Sequence, residues 1–117
     1  MYAIEKKAGR INLTFSGFLK KDEAEKWLRE FKKVVDGFAG GPFTVKIDLA
    51  QAKPHPPETT AIMVSGQEYA RAHGLTRTAC IAPNPIMQMQ GNRMARETGL
   101  QEKYFLTDEE AERYLSG

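Results

Sequence analysis

The sequence predicts an α/β fold: a mixed, mostly parallel sheet layered with helices, in the order ββαβαβαβα. Three observations carry that prediction. Apolar and polar residues alternate on either side of Gly9, and again from Phe43 to Leu49. The stretch from Ala24 to Phe38 instead follows the helical i, i+3, i+4, i+7 spacing. After Gly74, short apolar runs alternate with further helical segments, and strands separated by helices imply parallel crossovers. The 117 residues read as one domain, 1–117, large enough to bury a core without a metal or disulfide.

Tyr2, Ile4 and Lys6 alternate with Ala3 and Glu5, and Ile11, Leu13 and Phe15 with Asn12, Thr14 and Ser16. Gly9 between them makes an antiparallel hairpin whose second strand turns its odd positions to the core. Ala24, Trp27, Leu28, Phe31, Val34, Val35 and Phe38 form the apolar face of the first helix, with Trp27 as a core anchor. Asp22 and Glu25 resemble a capping box, and Gly37 with Gly40-Gly41 supplies the stop. The interleaved charges of KKDEAEKWLREFKK read as a solvated helix face.

Phe43, Val45, Ile47 and Leu49 then alternate with Thr44, Lys46 and Asp48, a third strand with one apolar and one polar face. The following AKPHPP cannot be helical, because each proline biases its predecessor toward extended geometry. Pro57 suits the first turn of a second helix, which carries Ile62, Gly66, Tyr69, Ala70 and His73 on one side and ends at Gly74. Thr76 to Ala82 is a short buried strand. Asn84 and Pro85 look like the N-cap and first residue of a third helix, whose face holds Met87, Gly91, Met94, Ala95 and Thr98. Gly99-Leu100 reads as its stop. Tyr104 to Leu106 is the last strand, and Thr107 with Glu110 forms a capping box for a helix ending at Leu115. Leu106 and Ala111 occupy the hydrophobic-staple positions.

The composition narrows the function. Seventeen basic residues against 15 acidic ones leave a net charge of +2, too balanced and too interleaved for nucleic acid. Cys80 is the only cysteine, so no intrachain disulfide forms, and its apolar run suggests a reduced, buried thiol. MYAIEKKAGR lacks a signal-peptide core, and no run approaches the roughly 18 apolar residues of a membrane span, so a cytoplasmic protein is expected.

There is no G-x-S-x-G, Walker, G-x-G-x-x-G, H-E-x-x-H or C-x-x-C motif. No catalytic residue is assigned: His55 could reach Thr59 or Thr60, but the pattern places no orienting acid beside it. His55 and His73 lie on different elements, so no metal or cofactor is assigned. His55, in its proline-rich loop, reads as solvent exposed. His73 sits where a helix C-terminus favours it.

Two places remain as binding candidates. The loop after Asp48 and the turn at Ala82–Asn84 belong at the same carboxyl edge of the sheet, where helix N-termini offer unpaired amides. Lys53, His55, Thr59, Thr60 and Asn84 would gather there around a small anionic or lipid-like ligand, although capping explains Thr59 and Thr60 equally well. The segment IMQMQGNRM sets Ile86, Met89 and Arg93 opposite the Met87–Met94 stripe. These three either fill an irregular core or offer an adaptable surface to a protein partner.

The hairpin, the strands FTVKIDLA and TRTACIAP and the ending KYFLTDEEAERYL resemble the STAS superfamily. The likeness is greatest to its SpoIIAA-like, anti-anti-sigma-factor-like branch, and covers nearly the whole chain. In the bacterial antagonists of that family a strand aspartate leads to a D-S-S-G segment at the next helix start, whose serine a partner kinase phosphorylates. Asp48 matches the aspartate. Glu58-Thr59-Thr60-Ala61 stands at the helix start and departs from D-S-S-G at every position; Thr59 meets the phosphoserine position once two extra loop residues are allowed. The resemblance implies a non-catalytic regulatory or protein-interaction module. The polar face of the third strand and the Met/Gln-rich third helix suggest a protein partner and a homo-oligomer. Alternatives are the small-ligand protein and a phospho-regulated anti-sigma-factor antagonist.

Overall fold

The computed structural model describes residues 1–98 and 101–116. The two N-terminal alternations become β1 (Tyr2–Lys7) and β2 (Arg10–Gly17), closed by a tight turn in which Gly9 has φ +69°. Then follow α1 (Lys21–Asp36), β3 (Phe43–Ala52), α2 (Pro57–Ala72), β4 (Leu75–Ile81), α3 (Pro85–Thr98), β5 (Glu102–Phe105) and α4 (Asp108–Ser116). The strands lie in the order β1-β2-β3-β4-β5, the first pair antiparallel and the others parallel. This is the predicted fold class and element order.

One face of the sheet carries the main core. Ile11, Leu13 and Phe15 of β2, with Phe43, Val45 and Ile47 of β3, are buried beneath Ala24, Trp27, Phe31 and Val35 of α1. The Trp27 ring stacks on Phe31 at 4.9 Å and meets the edge of Phe15 at 5.8 Å. Burying each of these rings contributes about 1.5–3 kcal/mol. α2 packs beside α1, and Gly66 makes the close approach possible: a Cβ there would lie 2.7 Å from Trp27 Cη2. At the far edge α3 meets the sheet in the same way. A Cβ on Gly91 would lie 2.5 Å from the Tyr104 ring.

The other face is covered by α4. Ala111 and Leu115 pack on Ala79 and Ile81, flanked by Phe105 and Tyr114. Beside them Arg10 grips Glu112 with Nη1 (2.7 and 2.6 Å), and Lys46 Nζ donates to Asp108 (2.7 Å) and Glu112 (2.8 Å). The two cations hold the Glu112 carboxyl down at about 2 through these bonds. This corrects one expectation: Lys46, on the polar face of β3, is covered by the chain's own last helix.

Other local expectations meet different outcomes. The Thr107–Glu110 box forms, with the Glu110 N–H donating to Thr107 Oγ1 at 3.2 Å. The Asp22–Glu25 box does not. α1 begins at Lys21 after an extended Lys20 without a side-chain cap, which puts Asp22 inside the first turn, where the helix dipole favours it. Leu106 lies past the end of β5 and is 41% exposed, and Met87 is 38% exposed at the open end of its helix. The Gly99-Leu100 stop falls outside the described residues.

Two measurements follow. Gly91→Ala should cost about 1–3 kcal/mol in chemical denaturation, since the Tyr104 ring must give way; an unchanged midpoint would contradict the packing. The folded Glu112 carboxyl titrates at about 2 against 4.5 ordinarily, so the unfolded chain takes the proton first. Its stabilisation is complete above pH 4.5 and is lost as pH falls toward 2. Glu112→Gln should flatten that part of the acid-unfolding curve.

Candidate functional site

The carboxyl edge is built by the loop after β2 (17–20), the loop after β3 (53–56) and the turns after β4 and β5. Gly17, at φ +63°, turns the chain out of β2 so that Phe18 points to solvent, 60% exposed, while Leu19 is buried. The next loop is tied to this one. The Lys53 N–H donates to Gly17 O at 3.0 Å, Lys53 Nζ lies 5.6 Å from the Phe18 ring centre, and Thr59 Oγ1 donates to Leu19 O at 3.1 Å. Together these contacts tie the two loops to each other.

Asp48 is not at the end of its strand. Its Oδ1 accepts from the Ala50 N–H at 2.9 Å, within a register shift against β2, and β3 continues to pair Gln51 with Ser16 and Ala52 with Gly17. The carboxylate therefore holds a bulge that lets the strand run on to Ala52. The two threonines separate as well. Thr59 is fully buried with its hydroxyl spent on Leu19, whereas Thr60 is exposed in the first turns of α2. Asn84 caps α3, accepting from the Met87 N–H at 2.9 Å.

His55 departs most from expectation. Its ring packs edge-on against Phe15 at 6.4 Å, and both ring nitrogens are shielded without a hydrogen-bond partner. Burial, then the nearby N-terminal charge, pushes its pKa down, so it serves as a neutral plug and not as an anion-binding cation. Of the expected cluster, Lys53 and Thr60 remain outward. No hydrogen bond or ion pair joins Lys53, His55, Thr60 and Asn84 to one another among the described residues.

On α3, Ile86 and Met89 are 63% and 66% exposed and Arg93 is exposed, so these residues form surface and not core. Phe18 and Leu106 complete the apolar surface at this edge, and sequence reasoning missed Phe18. Its one signal was an aromatic placed after Gly17, outside the alternation of the strand.

Cys80 is buried, and burial pushes its thiol well up. It donates to Glu102 Oε1 (3.4 Å), which also accepts from Gln67 Nε2 (3.1 Å); burial raises that carboxyl too. The adjoining cavity, about 30 Å³ between Gln67, Arg71, Thr78 and Glu102, has room for a water or two and lies toward the amino ends of β4 and β5. Among the described residues no cluster of His, Cys, Asp or Glu could hold a metal, and no helix is long and apolar enough to cross a membrane.

His55 yields a measurement. Its folded pKa lies below the ordinary 6.5, so the unfolded chain binds the proton more readily. Stability should fall as pH drops below 6.5 and level off once the folded ring is protonated. His55→Phe should remove that slope from denaturation midpoints; an identical slope in the variant would refute the role of the ring.

No family model matches the sequence, and no curated protein is similar enough to match. Solved structures are similar over the whole chain. A DUF3478-family protein with a SpoIIAA-like fold from Shewanella loihica PV-4 superposes with a TM-score of 0.77 at 14% identity, covering 98% of this chain and 92% of that one. The unphosphorylated anti-sigma factor antagonist SpoIIAA gives 0.71 at 17% identity, covering 100% and 99%. SpoIIAA of Bacillus in its phosphorylated form gives 0.66 at 15%, covering 97% and 98%. The chain has the SpoIIAA-like, STAS fold that its sequence resembles.

Proposed function

We propose that the protein is a regulatory module that binds a protein partner through the carboxyl edge of its sheet and also associates with itself. One observation carries the reading: large apolar side chains stand in water at that edge. Phe18 follows β2, Ile86, Met87 and Met89 occupy the first turns of α3, and Leu106 follows β5, each more than a third exposed. Phe18 is carried on a loop tied to the next one by backbone and side-chain bonds, which limits the conformational entropy lost when a partner docks. These residues follow the carboxyl ends of β2, β4 and β5, and contiguous exposed apolar patches mark interaction sites. The small-ligand alternative has less support, because His55 is a neutral plug, Asn84 is a cap and Thr59 is spent.

A second reading concerns regulation of the same surface. Thr60 is the exposed hydroxyl at the start of α2, where a phosphate would gain from the helix dipole. A protein of similar fold, SpoIIAA of Bacillus, has been solved in a phosphorylated form, which supports the reading. Thr60, and not Thr59, is the residue this reading assigns.

Affinity capture from native lysate tests the first reading. The tagged chain should retain a protein that a Phe18→Ser/Ile86→Asp double variant loses at least tenfold. Retention of nothing by the wild type, or equal retention by the folded variant, would count against it. For the second, mass spectrometry of chain recovered from cells should find phosphate on Thr60; modification confined to other residues would sink it.

A further inference from the structure

Of the two edges of the sheet, the one at β5 is blocked at Tyr104 by the chain's own side chains. The Tyr104 N–H donates to Asn92 Oδ1 at 2.7 Å, and its carbonyl accepts from Asn92 Nδ2 (3.2 Å) and Gln88 Nε2 (3.3 Å). An arriving strand would find these groups taken. The β1 edge differs. Met1 and Ser16 exchange both backbone bonds at 2.9 Å. That anchors the alternation of the antiparallel ladder: Ala3, Glu5 and Lys7 turn their peptide groups to β2, while Tyr2, Ile4 and Lys6 turn theirs outward. Among the described residues no hydrogen bond within the chain reaches those outward groups. The strand has no proline, glycine or bulge to discourage pairing. An open groove of about 520 Å³ runs beside it, lined by Tyr2, Ile4, Glu23, Lys26, Glu30 and Val34.

We propose that this edge binds a second copy of the chain, β1 pairing antiparallel with β1 about a two-fold axis at Ile4. The inference rests on the self-association reading above and names its surface. In that register Tyr2 stands opposite Lys6 of the second copy and Ile4 opposite Ile4, with about six backbone hydrogen bonds between them. Ile4 and Val34 of both copies fill the groove.

Charge makes the edge selective for itself. Lys6 shares the inner side of β1 with Tyr2 and Ile4, reaching Gly37 O at 3.3 Å. A lysine turned inward on an edge strand discourages generic pairing. The Tyr2 hydroxyl, however, donates to the Glu30 carboxylate. Lys6 of the second copy therefore arrives beside an anion, and symmetry repeats the contact. On the outer side Glu5 meets Ala3, and Lys7 meets Met1, whose ammonium is already paired with Glu23 at 3.4 Å.

Sedimentation equilibrium on the full chain tests this. The expected species has twice the 13.1 kDa mass of one chain. Lys6→Glu and Glu30→Lys should each raise the dissociation constant roughly tenfold or more. An equimolar mixture of the two variants should dimerise, because each repulsive contact becomes an attractive one. Lys6→Pro gives a second route: it removes an outward N–H without touching a β1–β2 bond, and should also weaken the dimer while circular dichroism shows the fold kept. A wild-type chain that stays monomeric at every concentration overturns the inference. So does a dimer indifferent to all three variants. Neither result touches partner binding at the carboxyl edge, and loss of partner capture from an intact dimer would sink that reading alone.

Discussion

The close approach of α2 to α1 is the constraint on which the rest depends. Trp27 fills the space between the helices and the sheet, and only a residue without a Cβ can stand where Gly66 meets it. That contact sets how deep α2 lies, and so where its first turn emerges. Because α2 lies deep, Thr59 is buried against Leu19, and the loop of 53–56 comes down onto Gly17 and Phe15. The carboxyl edge is shaped by core packing two turns away.

The two faces of the sheet use different chemistry. The α1/α2 face is held by aromatic stacking and aliphatic burial, whereas α4 is held partly by small apolar contacts and partly by the charges of Arg10, Lys46, Asp108 and Glu112. Partly exposed ion pairs contribute modestly to stability, but they orient a short helix on a polar strand face. The edges are unlike too. Amide side chains of α3 close one, and the other keeps its peptide groups open beside a groove. An unprotected edge on an otherwise well-sealed sheet is what a pairing surface requires.

Much of the fold was legible because the two periodicities are cleanly separated along the chain. The alternation of Ile11 to Phe15 and the helical stripe from Ala24 to Val35 each admit one secondary structure, and proline and glycine mark the boundaries. Errors arose where one local signal overrode another. Asp48 looked terminal because the apolar alternation stops near it, yet its carboxylate bonds the Ala50 N–H inside a register shift and the strand runs on to Ala52. Asp22 and Glu25 had cap spacing, but the helix begins earlier.

The sequence by itself determined the class, the element order and the core positions of β2, α1 and β3, because burial patterns are written in the spacing of apolar side chains. It also singled out the carboxyl edge, as a place for a polar ligand cluster. Only the tertiary structure decided which of those residues face water. Whether His55 is a cation or a neutral plug, whether Thr59 or Thr60 is accessible, and which sheet edge stays open all depend on contacts between segments far apart in sequence. Those contacts are made by packing distance and leave no periodic trace along the chain.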